Sequence, residues 1–467
     1  MSTTRVYNLG NLNLKVSPFL QNSGEMIRSV NVETDTVGAK KKRPGYTTYL
    51  TSLGTEVKTL FNWTKNTGTQ FWNYAFAGGS LFYSQQGTGA WTICGNGTLT
   101  ANEATLGHVS VHGTLLMVGD GTAVTRHSTD GTSFTNTTSA PLAASFVHYQ
   151  DRVHALGSVA LHWATTGTPT DWQSDSSSID IPGGGAPLTA FKASDRIMIG
   201  KTSGDMYRFD GYSVFDLSTD LGPTTKSIPE VENFKFLMNR QGVFASSGGA
   251  PEIISNPVER QIYNDAGSGI VGTVFDTAPG IAYRYDVLYS VGTVTDNLTD
   301  ETLARCILKY DYQLDEWGNW QFANRPTAFG TYVDTAGDKQ LIFGDGTGQC
   351  YTFGGTNTTD NGSAIESIME GVLSFGQPET DKKFNYLWAF GNPGCEAHVQ
   401  VAIGSTFTKA KKRWMSLGEF NDGVAELRFP SGSEGKLLFW KVTDASLNTR
   451  FSFYGFSVDW EAIEGRK

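Results

Sequence analysis

Leu115-Leu116-Met117-Val118-Gly119-Asp120-Gly121, followed by Ala123-Val124-Thr125, is the stretch that decides the fold. A short apolar run meets Asp-Gly and a second run leaves it. That is the pattern of a hairpin, because the central turn positions must tolerate positive φ. The same pattern recurs at Gln340-Leu341-Ile342-Phe343-Gly344-Asp345-Gly346, leading into Gln349-Cys350-Tyr351-Thr352-Phe353. A third copy runs from Arg196-Ile197-Met198-Ile199-Gly200 to Asp205-Met206-Tyr207-Arg208-Phe209 and the turn Asp210-Gly211. Outward from these, apolar runs alternate with polar residues, are rich in Val, Ile, Phe, Tyr and Thr, and end at Gly, Asn, Asp or Pro. No long stretch keeps an apolar stripe at i, i+3, i+4, i+7, so an all-β chain is predicted.

Segments of similar character begin near Val57, Thr105, Ser145, Leu188, Ile228, Ile281 and Pro326. Their spacing is close to the ~40–50 residues of a propeller blade. A twisted four-stranded sheet cannot bury both faces alone, so such units stack around an axis, which also protects their edges. The prediction is a β-propeller of six or seven blades, with an N-terminal extended lead and a C-terminal β-sandwich. Residues 1–56 are the lead, 57–354 the propeller and 365–467 the sandwich, with the Gly- and Asn-rich stretch 354–363 as linker.

The chain has 467 residues, with 54 Gly, a charged fraction of 18% and a formal net charge of −10. Gly in excess of the norm without a collagen period means many tight turns. The negative charge argues against a general nucleic-acid binder, yet suits a wall past which DNA slides. No run approaches the ~20 apolar residues of a spanning helix, and a secreted or membrane-embedded precursor is not expected. Cys94, Cys306, Cys350 and Cys395 are scattered and read as reduced thiols rather than as a zinc or disulfide framework.

Motifs for catalysis are missing: no nucleophile elbow, no paired-His zinc motif, no phosphate loop and no dinucleotide fingerprint. Of seven histidines, His108 and His112 are four apart, which on a strand separates them by ~13 Å unless a turn intervenes. Ser128-Thr129-Asp130-Gly131-Thr132-Ser133-Phe134 resembles the Asp-box turn of sialidase-type propellers, one residue short, and is read as structural. The Asp-Gly pairs at Asp120, Asp130, Asp210 and Asp345 are read as hairpins and not as calcium loops, since no series of alternating Asp ligands appears. Asp296 with Asp300-Glu301 is read as solvated rather than as a glycosidase dyad. Trp317, Trp320 and Tyr263 are read as core aromatics rather than as a gate. No enzyme activity, cofactor, metal site or small-molecule substrate is expected.

The block Lys40-Lys41-Lys42-Arg43 is read either as a solvated loop or as an anchor on an acidic partner, another subunit or adaptor. In the anchor reading, changing all four to Ser weakens assembly and leaves the monomer folded. Lys409, Lys411, Lys412 and Arg413 form a second basic stretch before Trp414.

Asn8-Leu9-Gly10-Asn11-Leu12-Asn13, Asn31-Val32 and Lys42-Arg43-Pro44-Gly45-Tyr46 together resemble the opening of the β-propeller structural proteins of tailed bacteriophages. The stretch 159–163 followed by Thr166-Gly167-Thr168-Pro169-Thr170-Asp171-Trp172 is similar to one of their blades, with Thr168 where an acidic residue is common and Asp171 where Asn is. The end, Phe453-Tyr454-Gly455-Phe456-Ser457-Val458, is similar to the sandwich that follows the propeller there. Within that group the chain resembles the tail nozzle, or packaged-DNA stabilisation, proteins of short-tailed phages. The resemblance implies a hexameric ring in the virion tail below portal and adaptor, assembled in the host bacterial cytoplasm. It would extend the DNA channel and help retain and eject the genome, with DNA passing unbound. A receptor-binding or decorating tail protein that grips a host glycan is the alternative.

Overall fold

In a computed structural model of the chain, the described residues are all except 1, 8, 16–23, 36–37, 66–70, 86–88, 100–105, 263–268, 271–273, 297–300, 335, 406–412, 448–450 and 464–467. Side chains of 296, 301, 393–395 and 421–422 also lie outside the description. Strands dominate, and among the described residues the helical content is the short turn Asn256–Val258 running into Glu259–Ile262.

The hairpin patterns at 115–125 and 196–211 become the middle of four-stranded antiparallel meanders. Five such sheets follow in order, opening with Val57–Thr64, Gly107–Val111, Phe146–Tyr149, Pro187–Ala193 and Glu230–Val231. They are called here blades one to five. Their opening strands face the axis, and the first three strands carry the apolar residues that pack blade against blade. Phe61, Tyr74 and Phe76 of blade one meet Leu116 and Val118 of blade two in one cluster. Ile197, Ile199 and Phe209 of blade four meet Leu156 and Leu161 of blade three in another. The sheets are apolar on both faces, which is why the runs read as apolar at consecutive positions.

A sixth sheet, blade six, closes the ring. It has Pro326–Val333, Lys339–Asp345 and Cys350–Phe353, but its next strand is Tyr46–Tyr49 from the lead, with Phe353 opposite Tyr46 and Cys350 opposite Tyr49. Its inner strand packs beside that of blade one. The expected lead thus ends inside the propeller. The ring is held shut by pairing between segments some three hundred residues apart.

The expected start near Ile281 opens a different kind of unit. Gly280–Tyr283, Asp286–Asp296, Glu301–Asp311 and Glu316–Gln321 pair in order and fill the sector between blades five and six. They do not form a self-contained blade, so the propeller has six separate blade sheets and one sector that runs on outward. The last strand meets Met26–Val30 in parallel at Val30 and Asn319, and the sheet continues through Ser367–Leu373 and Leu437–Asp444 to Lys382–Gly404.

The C-terminal strands are therefore not independent of the rest. Lys382–Gly404 and Met415–Arg428 form a long hairpin whose register shifts between Phe390 and Ala397. One half of Lys382–Gly404 pairs with Ser452–Ala462 and the other half with Leu437–Asp444. The two halves close over a shared core, where Trp440 packs on Phe456 at 5.1 Å between ring centroids. Ser2–Tyr7 and Lys40–Lys42 add to the same sheet through Ser452–Ala462.

Candidate functional site

The cationic block is inside the protein. Lys40–Lys42 is a strand antiparallel to Val32–Thr34, and Lys40, Lys42 and Arg43 are each at most 3% exposed. Burying an unpaired ammonium or guanidinium is prohibitive, so each has a carboxylate partner. Lys40 Nζ lies 2.8 Å from Glu316 and 2.6 Å from Thr34 Oγ1; burial lowers its pKa and Glu316 opposes that shift. Lys42 pairs with Asp444 and donates to Ser446 O at 2.7 Å. The Arg43 guanidinium donates two parallel bonds to Asp360, at 2.8 and 2.6 Å, and others to Asn31 Oδ1 and the carbonyls of Pro44 and Gln321. Its plane also lies 4.4 Å from the Phe322 ring centre. Only Lys41 of the four is half-exposed.

Both sequence readings of this block are thereby corrected for three of its four residues. A solvated loop or an external anchor needs exposed cations, and these are spent on carboxylates of this chain. Their partners come from three segments: Glu316 from the propeller sector of the long sheet, Asp360 from beyond blade six, and Asp444 from the C-terminal strands. The stretch 354–363, expected as a linker, belongs to the same latch. Thr359–Asp360 pairs in parallel with Tyr46, and Asn361 N donates to Tyr46 O at 2.7 Å. Gly45 is required here: a Cβ would stand 1.9 Å from Thr359 O. Tyr46 packs edge-on against Phe343, while Asn324 N donates to its hydroxyl.

The second candidate is the axis. A cavity of about 630 Å³ is lined by the inner-strand ends of every sector, among them Glu56, Lys58, His108, Phe146, Lys226, Asp276 and Arg325. Several of its polar groups stitch neighbouring sectors together. Leu106 N donates to Thr59 Oγ1 between blades one and two, Ala190 N to Ser145 Oγ between three and four, and Thr327 Oγ1 to Val57 O between six and one. Glu56 pairs with Lys58 at 2.5 Å and Asp276 with Arg240 at 3.3 Å, so the described carboxylates at the axis already hold cations. His108 stacks on Phe61 with ring centres 4.0 Å apart. Its ring is exposed to the cavity, within the ring of blades, and desolvation there pushes its pKa down to about 4. It is neutral near pH 7.

The Asp-Gly turns do what the hairpin reading requires. Asp130 Oδ1 accepts from Thr132 N, Ser133 N and Ser128 Oγ; burial works against its charged form, but these bonds prevail and its pKa lies below the usual range. Asp120, Asp210 and Asp345 accept in the same way from backbone N–H groups two to four residues on. Cys94, Cys306 and Cys350 are buried free thiols with pKa values raised by burial, to about 12 for Cys94 and Cys350. Trp317 and Trp320 are core residues. Asp300, Tyr263, Lys409, Lys411 and Lys412 lie outside the described residues, as do the side chains of Asp296, Glu301 and Cys395.

The structure separates His108 from His112 and gives His112 other neighbours. His108 points to the axis, whereas His112 stands in a turn beside His148 and Asp151 of the next blade, with donor atoms of all three within 4.8 Å of one another. Positions 112, 148 and 151 share no periodic signal, so only the packing of adjacent blades reveals them.

No protein-family model and no curated protein matches this chain. Solved structures similar to it share the propeller architecture at low identity. YCF48 from Cyanidioschyzon merolae is 11% identical, with a TM-score of 0.42, covering 66% of this chain and 98% of that one. BamB from Moraxella catarrhalis is 11% identical, with a TM-score of 0.37, covering 76% and 98%. The computationally designed Ika8 protein is 9% identical, with a TM-score of 0.40, covering 66% and 99%. The radial series of four-stranded sheets makes the protein a β-propeller, a fold that hosts unrelated functions.

Proposed function

We propose that the protein is a non-catalytic structural subunit of a tailed-bacteriophage tail, one copy of the ring that extends the DNA channel below portal and adaptor. The observation that carries this reading is the latch. Asn31 and Arg43-Pro44-Gly45-Tyr46, among the residues that carry the phage resemblance, join the lead to the long sheet and to ring closure: Arg43 bonds Asn31, Gln321 O and Asp360, and Tyr46 pairs with Phe353. A motif with so definite a mechanical role is a meaningful thing to share. It ties segments remote in sequence together, as a ring subunit requires, and a ring closes by repeating one heterologous contact. The formal charge of −10 disfavours adhesion of passing DNA. At the axis, Glu56 and Asp276 pair with Lys58 and Arg240, and the hydroxyls of Ser145 and Thr327 bond across blades, which favours a structural over a catalytic reading.

The test is native mass spectrometry of the protein alone and mixed with the portal and adaptor of the same virus. Six copies bound to the portal–adaptor complex is the expected result. A stable free trimer that ignores the portal and binds surface glycan would overturn the reading in favour of receptor binding.

A further inference from the structure

Blades two and three each carry a two-residue hairpin tip on the same rim. In blade two the turn is His112-Gly113, with φ of +48° and +66°; in blade three it is Gln150-Asp151, with φ of +49° and +56°. Such turns favour Gly, Asn or Asp, and His is among the few other residues enriched at this conformation. The packing of the two inner strands brings the tips together. His112 Nε2 and Asp151 Oδ1 are 3.3 Å apart, and His148, on the inner strand of blade three, has its ring perpendicular to that of His112 with centres 4.7 Å apart.

We propose that His112, His148 and Asp151 bind a divalent transition-metal ion of the class zinc represents, clasping blade two to blade three. Two imidazoles and one carboxylate are a donor set for such ions, with further positions open to water or to a ligand from a neighbouring molecule. Around an ion with ligand bonds of ~2.0–2.1 Å, tetrahedral ligands sit ~3.3 Å apart, the spacing already found between His112 and Asp151. The remaining separations close by side-chain rotation, since His112 and Asp151 are exposed. His148 is not spent on the fold: its Nε2 is buried and has no hydrogen-bond partner. Burial and the nearby His112 lower its pKa, Asp151 opposes them, and Lys192 of blade four adds to the lowering. A neutral imidazole is the form that ligates. The charge of Lys192 near the ring limits affinity.

The decisive experiment titrates zinc alone into the full chain in competition with a chromogenic chelator. One equivalent bound in the micromolar range is expected, with the thermal midpoint rising on addition of zinc. His112→Gly and Asp151→Gly put the residue best suited to positive φ at each turn, so the metal-free fold is kept or stabilised. Each is expected to weaken zinc binding by roughly tenfold or more and to abolish the thermal shift. His398→Ala removes another exposed His–carboxylate pair, with Glu419, and is expected to change nothing. No saturable binding by the parent protein, equal binding by both glycine variants, or loss of binding in His398→Ala would each overturn the proposal.

Discussion

Replacing Arg43 by Met keeps the length and the apolar stem of the side chain and removes its charge and its donors. The variant leaves Asp360, itself buried, without its two charge-assisted bonds, and strips Asn31 Oδ1 and Gln321 O of a donor. Breaking a buried pair by deleting one partner costs about 3–5 kcal/mol, because the surviving charge is left desolvated and unpaired. At about 2.1 cal/mol/K per residue, a chain of 467 residues has an unfolding entropy of roughly 1 kcal/mol/K, so the midpoint should fall by roughly 3–5 °C if unfolding is cooperative. If the latch opens before the rest, hydrogen exchange should speed up first at Tyr46–Tyr49 and Thr359–Asp360, the strands it holds. A second variant separates charge from packing. Arg43→Met combined with Asp360→Leu removes both charges, and should recover a good part of the loss, since an apolar pair of similar volume is often as stable as the ion pair. Urea unfolding followed by tryptophan fluorescence measures all three proteins. A single variant within about 1 kcal/mol of the parent, or a double variant no better than the single, would refute the latch. The same reasoning reverses the sequence-based expectation for the four-Ser variant of residues 40–43: it should unfold before its assembly can be assayed.

Burial pushes the Glu33 carboxyl up to about 6, with Lys309 opposing and Asp286 adding to the rise. A folded-state value above the ordinary 4.5 means that this group favours the fold below pH 4.5 and loses that contribution as pH rises through 6. Glu33→Gln should therefore be more stable than the parent at about pH 7.5 and match it near pH 4.5; midpoints that differ by a constant amount across that range would contradict the assignment. Gly45→Ala places a Cβ against Thr359 O, and should release the segment 359–364 from Tyr46 at a cost of several kcal/mol, read by urea unfolding and by protease cleavage between 354 and 364.

The sequence by itself determined the secondary structure and its grouping. Alternating and continuous apolar runs bounded by Asp-Gly turns are local signals, and the inner strands begin within two residues of the seven starts read from it. Turn chemistry was equally local, since each Asp side chain bonds its own backbone. What the tertiary structure alone decided is whatever depends on partners distant along the chain. Tyr46–Tyr49 closes blade six, the strands after Gly280 run on into the C-terminal sheet, and that sheet takes in the lead. Pairing between remote segments leaves no periodicity to read. The basic block shows the point most plainly. In sequence, three Lys and an Arg look like a solvated face, because charge repels burial. Lys40, Lys42 and Arg43 are buried because Glu316, Asp444 and Asp360 converge on them, and convergence of that kind is a property of the fold. His112, His148 and Asp151 meet for the same reason, where two blades pack side by side.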